Sequence, residues 1–356
     1  MQSPSLAPLV IRADGAPRFV ARRSRADGHP VARATRWLGD GSATDFGVLA
    51  RFAVDPEVTD IFVNGGAGIW VDRGAGAVRE PDVPLDEAEA RELAVRLVTA
   101  GGRHIDEATP CVDVRLHEGI RVHAVLPPVA PGGTLVSIRL PRVGSVTVER
   151  LEQDGFFSRV SAGTVRRLVA ARANMLITGA GGSGKTTTLS ALLALAPSSD
   201  RIIAIEDVAE LRVDHPHFVS LESRQANLEG AGAIGMARLV REALRMRPDR
   251  LVVGECRGEE VRELLAALNT GHDGGAGTLH ANSLADVPAR LEALGSLAGL
   301  DAAAIARQAV SAIQVVLHLE RDRVHRRIAQ MGRFVLDHSD RLAIEEVTGH
   351  EGETAV

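Results

Sequence analysis

The octapeptide GAGGSGKT, residues 179–186, lies between an apolar run, NMLIT (174–178), and a helix-forming run, TTTLSALLALA (186–196). This succession restricts the fold more than any other feature of the chain. A glycine-rich turn of the form GxxxxGK[ST], entered from a strand and left through a helix, wraps phosphate oxygens with backbone N–H groups, and the helix N-terminus faces the same anion. Gly179, Gly181, Gly182 and Gly184 supply the backbone freedom, and Ser183, Thr186 and Thr187 supply hydroxyls. Lys185 is the only lysine in the chain, set against forty arginines. Arginine replaces lysine on a solvated surface, but not where a compact, flexible ammonium must reach between phosphate oxygens in a tight loop. Chance would place a single lysine at this position about once in 356 tries. The reading is a nucleoside triphosphate site, with Lys185 on the β- and γ-phosphates and the Thr186 hydroxyl on Mg²⁺.

At 356 residues the chain is long enough for two domains, each with its own core. Its net charge of −5 gives no global basic field, so direct nucleic-acid binding is not expected. Residues 1–51 are the exception, with eight arginines against four aspartates, and the stretch 1–45 reads as a flexible basic arm. Cys111 and Cys256 are too far apart in sequence for a metal-spaced pair and suit a reducing compartment. No apolar run approaches the length of a membrane span, so a cytoplasmic protein that meets the membrane through partners is expected.

After the arm, an α+β region is expected over 46–140, then a linker over 141–148, then a P-loop domain over 149–356. In the first region DIFVNG (60–65) and GIWVDR (68–73) are strand-like, and LDEAEARELAVRLVTA (85–100) has helical spacing. CVDVRLHE (111–118) and IRVHAVLPP (120–128) alternate with period two around Gly119, as a half-buried hairpin does, and TLVSIRLP (134–141) adds a strand. Beyond the linker, NMLIT, RIIAIED (201–207), FVSLES (218–223), RLVVGE (250–255) and AGTLHA (276–281) alternate with helical runs. Apolar strands in that alternation imply a parallel sheet covered on both faces.

Three of these strands end in groups that suit phosphate chemistry, and open α/β sheets bind ligands at the carboxyl ends of their strands. RLVVGE ends in Glu255, suited to orient an attacking water or to sit beside a metal if its strand neighbours that of the P-loop; a solvated strand end is the alternative. RIIAIED ends in Glu206 and Asp207. AGTLHAN ends in His280, where a neutral imidazole would sense the γ-phosphate, against the alternative of a structural histidine.

GRHIDEATPCVDVRL (102–116), IRVHAVLPPVAPGGTLVSIR (120–139), GAGGSGKTTTLSALL (179–193), IEDVAEL (205–211), ALRMRPDRLVVGECRG (243–258) and NTGHDGGAGTLHANS (269–283) together resemble the type II/IV secretion (traffic) ATPases. Within that group the chain is most similar to the Tad/Flp pilus-assembly, CpaF-like branch. The resemblance implies a RecA-like P-loop domain behind a smaller α+β domain, assembled as a homohexamer. It implies four boxes around ATP and Mg²⁺: the P-loop, an acidic box at Glu206/Asp207, an atypical Walker B ending at Glu255, and a histidine box at His280. It also implies that Arg121 and Arg139 of the first domain reach the nucleotide, a plain ion-pair role being the alternative for both. Inner-membrane platform proteins of a pilus or secretion machine are the implied partners. The paired CxxC zinc motif of many type II secretion relatives is absent, and GRHID puts His104 where GRRID is usual. The function expected is a motor for Tad/Flp-type pilus assembly or secretion. The alternatives are a type IV secretion or conjugation motor moving DNA or protein, and a nucleotide-binding ring component with little hydrolysis.

Overall fold

A computed structural model describes residues 42–116, 119–141, 146–224, 231–322 and 325–347, all within one compact unit, Thr35–Val356. Most of the basic arm expected over 1–45 and the centre of the expected linker lie outside the described residues.

The first sheet contains β1 (Asp60–Asn64), β2 (Ile69–Asp72), β3 (Ala77–Glu80), β4 (Cys111–Arg115), β5 (Arg121–Val125) and β6 (Leu135–Arg139). Its order is β3-β2-β1-β6-β5-β4, antiparallel throughout. Alternation decides its faces. Val112, Val114, Val122, Ala124, Val136 and Ile138 are buried in one core with Leu93, Ala94, Leu97 and Val98 of the helix Glu87–Ala100. That helix starts where the sequence supplies a reciprocal cap. The Asp86 carboxylate accepts the Glu89 N–H, and the Glu89 carboxylate accepts the Asp86 N–H. The opposite face carries a charged row at one register level: Asp72 faces Asp60, Asp60 faces Arg139, Arg139 faces Arg121, and Arg121 faces Arg115.

The second sheet contains β7 (Met175–Gly179), β8 (Ile202–Glu206), β9 (Phe218–Glu222), β10 (Arg250–Val253), β11 (Ala276–His280), β12 (Val315–Arg321), β13 (Arg326–Leu336) and β14 (Leu342–Glu346). The order is β14-β13-β12-β7-β11-β10-β8-β9. The six strands from β12 to β9 run parallel, and β13 and β14 are antiparallel additions. All residues of β7, β8 and β10 are buried, as continuous apolar runs require when both faces are covered. One face packs on the helices Met236–Leu244, Glu260–Leu268, Val287–Leu297 and Ala302–Ala312. The other packs on Val148–Gln153, Ala162–Ala170 and Lys185–Leu193. This is the expected doubly covered α/β domain behind a smaller α+β sheet.

One expectation is corrected. The strand of Glu255 does not adjoin the P-loop strand: β11 lies between them, paired in register with β7 on one side and β10 on the other. The reason is the crossover from β7 to β8, in which the chain passes over the β11 and β10 positions and fills them only on its return, so sequence order and spatial order differ.

Gly179, the last residue of β7, has φ +146°, and a Cβ there would stand 2.5 Å from the Leu319 carbonyl oxygen of β12. Gly179→Ala is therefore expected to cost roughly 2–3 kcal/mol in urea unfolding, through strain and backbone overlap together.

Candidate active site

The loop after β7 turns through Gly182 and Gly184, at φ +72° and +99°, conformations that only glycine adopts freely. Gly184 then serves as the N-cap of the helix Lys185–Leu193. Lys185 folds back over the loop it follows. Its Nζ donates to the Gly179 carbonyl at 2.9 Å and the Ala180 carbonyl at 3.1 Å, and approaches His280 Nδ1 at 3.2 Å. The side chain is buried, and burial, reinforced by the Arg257 guanidinium, lowers the ammonium below its ordinary range. Ser183 is also buried, with its hydroxyl unpartnered. Thr186 and Thr187 line the cleft beside Lys185.

His280 ends β11 and meets both neighbours. An ammonium can only donate, so His280 Nδ1 accepts from Lys185 and the imidazole carries its proton on Nε2. Nε2 lies 2.8 Å from Glu255 Oε1, but off the line of a hydrogen bond, so that buried oxygen keeps no aligned donor. Burial and the nearby Lys185 charge lower the His280 imidazole below its usual range, which favours the neutral form. Glu255 follows β10. Burial pushes its carboxyl up, but Arg257, His280 and Lys185 outweigh that and hold it below the ordinary carboxylate value. Arg257 Nη2 donates to Glu255 Oε2 at 2.6 Å. The result is an ionised carboxylate with one oxygen clamped and the other uncommitted.

Glu206 is placed differently. It ends β8, is only 3% exposed, and does not line the cleft. Its Oε1 accepts the N–H groups of Glu210 and Leu211, each at 3.0 Å, while Oε2 is buried without a partner. Gly254 makes room for it: a Cβ there would lie 2.5 Å from Glu206 Cγ. Burial raises the Glu206 carboxyl to about 7 despite the two backbone donors. Asp207, next along, accepts the Ser223 hydroxyl and lies 3.7 Å from Arg115. His104 sits beside Asp106 at 3.2 Å, outside the cleft.

Between the two sheets lies a cleft of about 580 Å³. The P-loop, Glu255, Arg257 and His280 form one wall, and Asp60, Asp72, Arg121 and Arg139 of the first sheet form the other. Arg121 is engaged there, with Nη2 2.6 Å from Glu210 Oε1. Arg115, one strand further along the charged row, pairs with Glu222 across the same junction. Sequence reasoning missed Asp60, Asp72 and Glu210, and also Arg321 and Arg326, which reach the cleft from β12 and β13. The family resemblance named Arg121 and Arg139 but not Asp60 or Asp72, which only the strand register brings into line with them.

The residues present fit a nucleotide with its cation. A peptide whose carbonyl points at Lys185 turns the following N–H the opposite way, so the Gly179 and Ala180 carbonyls direct the Ala180 and Gly181 amides outward. Glu255 Oε1 is an unpartnered polar atom on a residue that lines the cleft, and the buried Ser183 hydroxyl is unpartnered within the loop. No cluster of three or more metal-ligating side chains occurs among the described residues. A magnesium ion here would take Thr186, Glu255 and the phosphate oxygens themselves, the usual pattern for this cation.

The fold and site define a two-domain protein with a RecA-like P-loop domain. The chain belongs to the type II/IV secretion system protein family, whose sequence profile matches residues 42–347. It is 48% identical over 290 residues to a protein of Mycobacterium tuberculosis H37Rv provisionally named as a conjugal transfer protein, the match covering 80% of this chain and 82% of that one. It is 33% identical over 259 residues to the type IV secretion system protein VirB11 of Brucella suis, covering 64% of this chain and 70% of that one. Among solved structures, the pilus retraction motor PilT with bound ADP matches with a TM-score of 0.55 at 22% identity, over 84% of this chain and 82% of that one. The Legionella pneumophila ATPase DotB gives 0.55 at 18% identity, over 90% and 84%. These two likenesses bear on the fold.

Because the Glu206 carboxyl is raised in the folded state, it contributes stability at low pH that is lost as pH climbs from its ordinary 4.5 to about 7. Glu206→Gln keeps an acceptor for the two backbone donors and removes that loss. Thermal melting across pH 4–8 should show the variant gaining on the wild type through this window, by on the order of 2–3 kcal/mol, and running parallel above it. Parallel curves throughout would mean that Glu206 is not protonated in the fold.

Proposed function

We propose that this protein is a Mg²⁺-dependent ATPase, acting as a homohexameric motor of a secretion-class machine. The observation that carries the reading is the unbroken contact from Lys185 through His280 to Glu255, at 3.2 and 2.8 Å, facing a cleft whose far wall is a second sheet bearing Arg121 and Arg139. A nucleotide held by the loop amides of Gly181, Gly182, Ser183 and Gly184 would draw the Lys185 ammonium off its carbonyls and onto phosphate oxygens. The magnesium ion would supply charge screening for the phosphates and a fixed orientation for the terminal one.

Glu255 has the state that a water-orienting group needs, being ionised, with one oxygen clamped by Arg257 and one unengaged. His280 is neutral and touches both Lys185 and Glu255, so it is placed to register whether a γ-phosphate separates them. Glu206 supports from behind the site, fixing the loop that carries Glu210. Arg121 and Arg139 would couple the bound phosphates to the first sheet, with Arg121 exchanging Glu210 for phosphate.

Two cargo readings stand, each on its own observation. The names of the relatives speak for the type IV secretion and conjugation branch. The motif phrases ALRMRPDRLVVGECRG and NTGHDGGAGTLHANS speak for the Tad/Flp pilus branch. The comparisons favour the first at least as well as the second. Disrupting the gene and scoring surface pili against DNA or protein transfer separates them. No helix among the described residues is long and apolar enough to cross a membrane. We place the protein in the cytoplasm, docked on inner-membrane platform proteins.

Lys185→Ala should abolish binding of a fluorescent ATP analogue. Glu255→Gln should bind that analogue normally and release phosphate at least about 100-fold more slowly than the wild type. Phosphate release by Glu255→Gln at the wild-type rate would remove Glu255 from catalysis. Equal release by wild type and Lys185→Ala would leave a binding protein rather than a motor.

A further inference from the structure

We infer that Arg321 and Arg326 form a second phosphate-binding arm of the cleft, gripping the part of the nucleotide that ADP and ATP share. The inference rests on the nucleotide reading of the cleft and deepens it.

Placement comes first. β7 is flanked by β11 on one side and β12 on the other, and Gly179 is in register with His280 on β11 and with Leu319 on β12. His280 and Glu255 therefore mark one side of the P-loop, and Arg321, two residues beyond Leu319, marks the other. Arg326 begins β13 and returns over the loop, where its Nε donates to the Gly182 carbonyl at 3.0 Å. A Cβ on Gly182 would come 3.3 Å from Arg321 Nη1, and one on Gly184 would come 3.2 Å from Arg326 Cδ. Both guanidinium groups line the same cleft as Lys185.

Charge is the second observation. Arg321 and Arg326 are direct cross-strand partners, and like charges facing each other on a hairpin destabilise it. The neighbouring pair on this hairpin is balanced: Glu320 faces Arg327, with 3.0 Å between Oε2 and Nη2. The exposed Arg321 has no carboxylate partner among the described residues, and the nearby Asp322 lies 3.8 Å from His325. Two opposed guanidinium forks over a glycine-rich anion loop form a site for phosphate oxygens, which arginine takes in pairs.

The side of approach decides which phosphates. Lys185, His280 and Glu255 gather where the terminal phosphate and its attacking water belong. The hairpin arm lies across the loop from them, so it meets the α- and β-phosphates. Its contribution should be the same for ADP and ATP, whereas groups at the γ end distinguish the two.

The test measures affinity of the full-length protein for ADP and for a non-hydrolysable ATP analogue, in wild type, Arg321→Lys, Arg321→Ala, Arg321→Glu, Arg326→Ala and Lys185→Ala. Arg321→Ala should weaken both ligands by about tenfold, as loss of one charge-assisted contact does. Arg321→Lys should lose less and Arg321→Glu more, with the ratio of analogue to ADP affinity constant across the series. Arg326→Ala should weaken both ligands alike. Arg321 is exposed and bonds to no part of the loop, so melting of its variants without nucleotide should match wild type, which separates recognition from folding.

Wild-type ADP affinity in Arg321→Ala and Arg321→Glu would overturn the inference while leaving the nucleotide reading intact. A loss confined to the ATP analogue would overturn it as well, by moving Arg321 to the γ end. Failure of the wild type to bind either ligand better than Lys185→Ala would remove the nucleotide reading, and this inference with it.

Discussion

The arrangement depends on a buried ammonium neutralised by dipoles. Lys185 is 7% exposed, and its close contacts are two carbonyl oxygens and an imidazole nitrogen. A desolvated cation is costly unless each donor finds an acceptor, so the loop must turn its carbonyls inward. That turn needs backbone angles that only glycine takes freely at Gly182 and Gly184, and a Gly179 with no side chain against β12. The inward carbonyls turn the Ala180 and Gly181 amides away from Lys185. One lysine thus organises an anion-binding loop before any anion arrives, and it is held by contacts that an incoming phosphate can replace at little loss.

Much of this was legible in the sequence because the carriers of the signal are local. The P-loop is contiguous, and its strand and helix neighbours show as an apolar run and a small-residue helix. The hairpin of β4 and β5 shows as strict alternation, and burial of Val112, Val114 and Leu116 follows it. Glu255 and His280 could be named because each ends an apolar strand. What sequence could not supply is lateral order. That β11 separates β7 from β10, and so brings His280 between Lys185 and Glu255, follows from the crossovers and from no local residue.

Other features were hidden for reasons that can be named. β3 buries none of its four residues, so an edge strand of AVRE leaves no alternation to read. The hairpin of β12 and β13 carries Arg321 and Arg326 more than 130 residues from the loop they overhang, in a chain where forty arginines make any one unremarkable to the eye. The charged row across the first sheet is likewise visible only once register is known, because Asp72, Asp60, Arg139, Arg121 and Arg115 come from five strands in scrambled order.

Glu206 is the residue whose place most changes its meaning. A strand-end acid beside a phosphate loop suggests direct work on water, but this one is packed behind the cleft. On one side its Cγ fills the space left by Gly254, the residue before Glu255. On the other its Oε1 holds the backbone of Glu210, whose own carboxylate grips Arg121 of the first sheet. The contacts Glu255–Gly254, Glu206, Glu210 and Arg121 run without a gap from the Glu255 carboxylate to the charged row. Arg115 continues that row onto Glu222 and Asp207, so the first sheet is tied to the strand ends of β8 and β9 by ion pairs rather than by an apolar seam. Partly exposed ion pairs are individually weak and exchange partners readily. A junction built from such pairs gives way more easily than an apolar seam of equal area. On the proposed motor reading, phosphates held by the P-loop would compete for these arginines and let the first sheet shift against the second, with Glu206 bracing the loop that carries Glu210.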